Sequence, residues 1–112
     1  FTFATRIILG QLSEPESQLH SIANNLYIFA ICAAPPILGH KGILEGKNAT
    51  CYPGCEGGMG SAIVAENAAT VRDGNLITGT APGCSVKFGL ALVEALKGKD
   101  AAADVEAQLV IR

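Results

Sequence analysis

The chain has 112 residues, of which 49% are hydrophobic and 16% charged, and its formal net charge is −2. This length corresponds to one domain, and the large apolar share excludes a disordered polypeptide. Because there is no basic block and no apolar run of roughly 18–20 residues, we expect neither a nucleic acid nor a membrane as partner.

The first predicted elements occupy the amino-terminal third. Residues 6–9, Arg-Ile-Ile-Leu, are predicted to form a short buried strand. Ser13 with Glu16 three residues later is a capping-box pattern, which predicts a helix that ends near Asn25. The continuous apolar run at residues 26–31 predicts a strand covered on both faces.

The middle of the chain predicts one short helix, one short strand and a hairpin. Residues 34–40 are predicted to be helical, with two prolines confined to the first turn. Residues 49–52 are predicted to form a strand. Residues 68–72 and 75–79 are joined through Asp73-Gly74, a dipeptide typical of β-hairpins.

The chain closes with two predicted helices, at residues 84–97 and 99–108. The first is predicted to bury one apolar face, made of Val86, Leu90, Val93 and Leu96. Strands and helices alternate with one hairpin inserted. The sequence therefore predicts one α/β domain over residues 1–112, with a mostly parallel sheet.

Cys32 is the main candidate for chemistry. It lies where the strand at residues 26–31 ends and the helix at residues 34–40 begins. Ligands of parallel α/β sheets bind beyond the carboxyl ends of strands, and the N–H groups of a helix start favour a thiolate and can hold an oxyanion. This is the nucleophile-elbow arrangement with cysteine in place of serine. A buried cysteine without chemistry fits the local pattern equally well, so both interpretations stay open.

The chain offers His20 and His40 as candidate bases for this thiol. His40 lies eight residues beyond Cys32, which is about 12 Å along a helix, too far for contact. His20 belongs to the preceding predicted helix, where we expect it to be exposed. The sequence therefore gives no support to a peptidase of the Cys–His type.

Three further patterns are weaker. Cys51 and Cys55 could form half of a metal site, but no second ligand pair follows, so no metal is predicted. The glycine-rich residues 54–60 lack the Gly-Lys-Ser/Thr ending of a phosphate loop and predict a mobile loop. Since the chain is long enough to form a core without disulfides, we expect the four cysteines to be reduced thiols in an intracellular compartment.

Two stretches resemble the ThiJ/PfpI (DJ-1) family, especially its deglycase-like members. They are residues 28–53, IFAICAAPPILGHKGILEGKNATCYP, and residues 70–98, TVRDGNLITGTAPGCSVKFGLALVEALKG. The resemblance implies a flavodoxin-like α/β sandwich, a cytoplasmic homodimer and no cofactor. It also implies a nucleophilic cysteine that acts on small dicarbonyls such as methylglyoxal, as a glyoxalase or protein deglycase. The alternative within the same family is a non-enzymatic redox sensor or chaperone.

The resemblance also implies the site residues. Cys32 matches the family's reactive cysteine, Ala33 would lend its backbone N–H to an oxyanion, and Tyr52, Ala81 and Pro82 would line the pocket. Family members carry a glutamate in their first third that hydrogen-bonds the cysteine, and no residue here is matched to it. We therefore expect this sequence to be the carboxy-terminal part of the family domain.

Overall fold

The structure, a computed structural model, describes residues 27–111. The strand predicted at residues 6–9 and the helix predicted to begin at Ser13 lie outside the described residues. None of the helices in the described part of the chain is long and apolar enough to cross a membrane.

The larger sheet has the strand order β1-β5-β4. Strand β1, Ile28–Ile31, lies inside the apolar run that predicts it. It pairs in parallel with β5, Leu76–Gly79, whose four residues are all buried. Strand β4, Thr70–Asp73, pairs with β5 in the antiparallel direction. Because β1 and β5 run in parallel, their carboxyl ends lie at the same edge of the sheet.

The predicted hairpin is confirmed, but the predicted turn Asp73-Gly74 is wrong by one residue, because Asp73 still belongs to β4. Strands β4 and β5 pair from Thr70 with Gly79 to Asp73 with Leu76, so the turn consists of two residues, Gly74 and Asn75. The φ of Gly74 is +61°, in the left-handed region that glycine adopts without steric cost. The turn sequence therefore fixes the register of β4 and β5.

A second, two-stranded sheet consists of β2, Asn48–Ala49, paired in parallel with β3, Ile63–Val64. The strand predicted at residues 49–52 is wrong beyond Ala49. The Thr50 N–H donates to a side chain, the Thr78 hydroxyl, and the backbone bond of residue 52 goes to the turn after β1. Because these groups bond outside the ladder, the strand stops.

The three predicted helices in this part of the chain are confirmed as α1, Pro35–His40, α2, Ser85–Lys97, and α3, Lys99–Leu109. The predicted inward face of α2 is partly wrong, because Val86 is 49% and Leu96 55% exposed, while Leu90 and Val93 are half-buried.

Phe88 decides how α2 faces the sheet. A Cβ atom added to Gly79 would lie 2.8 Å from Cδ1 of Phe88, so the ring packs directly on the end of β5. The helix carries apolar side chains on more than one side, so their spacing alone does not show which side is buried. The packing of Phe88 on the sheet determines which side of α2 is buried.

The main core lies around α1, β2 and the strands β1 and β5. Its buried members are Ala30, Leu38, Ile43, Leu44, Ala49, Cys51, Met59 and Leu76. The glycine-rich segment, predicted as a mobile loop, packs against α1 through the short 3₁₀ turn Glu56–Gly58. A Cβ atom on Gly39 would overlap the Gly58 carbonyl oxygen and lie 2.8 Å from the Met59 carbonyl carbon. Here glycine permits a close backbone approach.

Candidate active site at the end of strand β1

Cys32 follows β1 directly and has a φ of +66°. A left-handed backbone is uncommon at a residue other than glycine and costs of order 1–3 kcal/mol. Such a conformation persists only where the surrounding structure holds it. The side chain of Cys32 is half-buried, so the thiol is partly open to solvent.

Two backbone hydrogen bonds hold Cys32 in this conformation. Its N–H donates to the Gly79 carbonyl at 3.0 Å, and its carbonyl accepts the Tyr52 N–H at 2.8 Å. The first bond extends the pairing of β1 with β5 by one residue. The second joins the turn to the segment that follows β2, so three parts of the chain meet at Cys32.

The Ala33 N–H is available to a ligand. Ala33 is exposed, and none of the acceptors in residues 27–111 takes its N–H. The expectation of several free N–H groups at the helix start is wrong. Pro35 and Pro36 carry none, Ala34 donates to the Ile31 carbonyl at 3.1 Å, and the third helical residue donates within its own turn. Within residues 27–111, Ala33 is therefore the single N–H donor at this helix start that has no acceptor.

The other predicted site residues lie at the same edge of the sheet. The parallel register pairs Ile31 with Gly79, so the chain leaves β1 and β5 side by side, toward Cys32 and Ala81 respectively. Ala81 is extended, with φ −159° and ψ 168°, and Pro82 begins an exposed 3₁₀ turn. The side chain of Tyr52 is 46% exposed. The structure brings Tyr52 to Cys32 by a hydrogen bond and places Ala81 and Pro82 on the adjoining strand end.

Sequence reasoning missed three threonines beside this turn. Thr50 and Thr78 are fully buried, and the Thr50 N–H donates to the Thr78 hydroxyl at 2.9 Å. The hydroxyl oxygens of Thr50 and Thr80 lie 3.2 Å apart. The alternation Thr78-Gly79-Thr80 at the end of an apolar strand was the available signal, because a buried hydroxyl has to be hydrogen-bonded.

The remaining cysteines are not joined to one another by disulfides. Cys51 is buried, and burial raises the pKa of its thiol to about 11, with smaller contributions from the charges of Glu56 and Cys55. A thiol with this pKa is protonated at neutral pH and is a poor nucleophile. No group of three or more His, Cys, Asp or Glu side chains in residues 27–111 is arranged to hold a metal ion. His40 is exposed at the end of α1, beside Gly58, and His20 lies outside the described residues.

The sequence matches the DJ-1/PfpI family over residues 19–95, well over half of its length. The chain belongs to the DJ-1/PfpI family. It is 40% identical over 87 residues to the Parkinson disease protein 7 homolog of Danio rerio, with 76% of this chain and 46% of that protein covered. It is 35% identical over 108 residues to the isonitrile hydratase of Pseudomonas putida, with 90% of this chain and 46% of that protein covered. The chain thus spans less than half the length of these relatives.

Solved structures of the family confirm the predicted flavodoxin-like α/β fold. The chain superposes on Drosophila melanogaster DJ-1beta with a TM-score of 0.73 at 31% identity, covering 90% of this chain and 57% of that one. It superposes on an oxidized form of Toxoplasma gondii DJ-1 with a TM-score of 0.73 at 28% identity, covering 85% and 52%.

Proposed function

We propose that this protein uses Cys32 as the nucleophile of a glyoxalase or protein deglycase reaction on small dicarbonyls such as methylglyoxal. The observation that carries the proposal is the strained turn itself. A partly exposed thiol at φ +66° stands beside the Ala33 N–H, which no described residue accepts. A nucleophile next to an unused donor is the arrangement that carbonyl chemistry requires.

In the proposed reaction the Cys32 thiolate attacks the aldehyde carbon of methylglyoxal, and the electron pair of the C=O bond moves to oxygen. The Ala33 N–H donates to this developing oxyanion. After protonation the product is a hemithioacetal. A proton then moves from the former aldehyde carbon to the neighbouring carbon, and the hydroxyl proton moves to the neighbouring oxygen, which gives a thioester of lactate. Water releases lactate and the thiol, so methylglyoxal and one water are converted to lactate without a cofactor.

The proton transfer between the two carbons requires a general acid/base. No carboxylate of the described residues is hydrogen-bonded to Cys32, and the family resemblance gives this role to a glutamate. The activity is therefore proposed for the full-length protein, and so are the small dicarbonyl substrate, the cytoplasmic homodimer and the pocket roles of Tyr52, Ala81 and Pro82.

The experiment is lactate formation from methylglyoxal by the full-length protein and by its Cys32→Ala variant. We expect turnover in the unchanged protein and only the buffer rate in the variant. Cys84→Ala is the matched control, because Cys84 is another half-buried free thiol, in the 3₁₀ turn that Pro82 begins. Turnover that survives Cys32→Ala would contradict the proposal. Hydration of an alkyl isonitrile without dicarbonyl turnover would contradict the substrate class.

A second candidate is a non-enzymatic redox sensor or chaperone. It is favoured by the partial exposure of Cys32 without a hydrogen-bonded carboxylate among the described residues, since oxidation by peroxide needs no general acid/base. The thiolate attacks one peroxide oxygen, the O–O bond breaks and hydroxide leaves, which gives a sulfenic acid. A second peroxide gives the sulfinic acid. Two oxygen atoms added at Cys32 alone by mild peroxide, with no dicarbonyl turnover, would favour this candidate over the enzyme.

A further inference from the structure

The two segments that hydrogen-bond to Cys32 are also hydrogen-bonded to each other. One partner is the Gly79 carbonyl, and the other is the Tyr52 N–H. Gly79 follows Thr78 directly, and Tyr52 lies two residues after Thr50. Since the Thr50 N–H donates to the Thr78 hydroxyl at 2.9 Å, these contacts form a closed ring that begins and ends at Cys32.

The hydroxyl of Thr78 is explained by its hydrogen bond with the Thr50 N–H. Thr78 is 0% exposed in a strand where every residue is buried, and a valine would fill the same space. A buried hydroxyl costs free energy unless it is hydrogen-bonded. Besides accepting from Thr50, it lies 3.5 Å from the Val71 carbonyl oxygen, a long contact. The hydrogen bond from the Thr50 N–H is therefore the contact that explains why residue 78 is threonine and not valine.

The side chain of Thr50 adds a second link between the same two segments. Its hydroxyl donates to the Ala65 carbonyl at 2.8 Å and lies 3.2 Å from the hydroxyl of Thr80, the residue after Gly79. Thr80 is fixed in turn, because its N–H donates to the Ala69 carbonyl at 3.1 Å. Thr50 thus contacts the residues on both sides of Gly79, whose carbonyl orients Cys32.

We propose that Thr50 and Thr78 are positioning residues that hold Cys32 in its left-handed conformation and so set the reactivity of its thiol. Neither touches the reacting atoms. Each acts through a backbone bond of Cys32, Thr78 through Gly79 and Thr50 through Tyr52. The inference rests on the proposed role of Cys32 as the nucleophile. It adds the residues that keep the strained turn from relaxing.

The test is alkylation by iodoacetamide, with the extent of modification at each cysteine measured by mass spectrometry in the same molecules. Thr78→Val keeps the shape of the side chain and removes the acceptor of the Thr50 N–H. We expect the ratio of Cys32 to Cys84 modification to fall about fivefold, the factor that corresponds to about 1 kcal/mol. Thr78→Ser keeps the acceptor and should restore the ratio.

Thr70→Val is the matched control, because Thr70 pairs with Gly79 across the hairpin and its hydroxyl makes no hydrogen bond among the described residues. If Thr78→Val unfolds the protein, buried Cys51 will be modified together with the others, and Thr50→Val then decides, with the same expected fall at Cys32. An unchanged ratio in a folded variant would overturn the proposal. Alkylation requires no dicarbonyl turnover, so a failed glyoxalase assay leaves this test intact.

Discussion

The elbow region, residues 28–84, and the helical pair, α2 with α3, are built in different ways. The elbow region contains nearly all the buried side chains, including the hydroxyls of Thr50 and Thr78. In the helical pair α2 has no buried residue, α3 buries only Ala102, and apolar side chains such as Leu96 and Leu109 are half exposed. The comparison teaches that the strained turn at Cys32 is held by contacts among fully buried groups, whereas the helical pair packs on itself and on the sheet through half-buried side chains.

The largest expected difference in stability between the two regions is that between two leucine-to-alanine variants. Leu76 in β5 is 1% exposed and belongs to the core, so Leu76→Ala should lower the free energy of unfolding by about 2–5 kcal/mol. Leu96 in α2 is 55% exposed, and Leu96→Ala should change it by no more than about 0.5 kcal/mol. Urea unfolding followed by circular dichroism measures both. Equal losses in the two variants would show that the helical pair has a core of its own in solution.

Two glycine-to-alanine changes should have opposite signs. Gly39→Ala places a Cβ atom against the backbone of Gly58 and Met59, which cannot move as a side chain can, and should destabilise by about 1–3 kcal/mol. Gly89 lies within α2 with nothing within 4 Å of its added Cβ atom. Gly89→Ala should stabilise by about 0.5–1 kcal/mol, because alanine loses less backbone entropy in a helix. Thermal unfolding of both variants decides, and a stabilising Gly39→Ala would show that this packing is absent.

The last expected effect is a pH dependence that originates at Cys51. Burial raises the pKa of this thiol from 9.0 in its ordinary state to about 11 in the fold. Between these values the unfolded chain loses the proton while the folded chain keeps it, so the free energy of unfolding should fall as the pH rises from about 9 to about 11. Urea unfolding at about pH 8 and about pH 10.5 measures the fall. It should be smaller in Cys51→Ala, and an equal fall in both proteins would assign the pH dependence to other groups.

Sequence patterns predicted most elements of both regions, but they missed β3. The dipeptide Asp73-Gly74 placed the hairpin, and the apolar run before Cys32 placed β1. The patterns gave wrong predictions where contacts between residues distant in sequence determine the structure. The strand predicted at residues 49–52 ends after Ala49, because the next N–H groups bond across space, and the apolar spacing of α2 misplaced Val86 and Leu96 at the buried face.

The candidate site was predicted in part. The position of Cys32 after an apolar run indicated the turn, and the family resemblance indicated its neighbours Ala33, Tyr52, Ala81 and Pro82. The sequence did not predict that Ala33 would be the single N–H donor at the start of α1 without an acceptor among the described residues, although the two prolines that follow it were visible. It also did not predict the threonine ring, because Thr50 and Thr78 are 28 residues apart.

The sequence alone determined what local chemistry determines: where most of the strands and helices lie, where glycine turns the chain, and which cysteine follows a strand. The tertiary structure alone decided the left-handed backbone of Cys32. A φ of +66° is unfavourable for cysteine by itself, and it exists here because Gly79 and Tyr52, distant in sequence, supply the two hydrogen bonds that hold it.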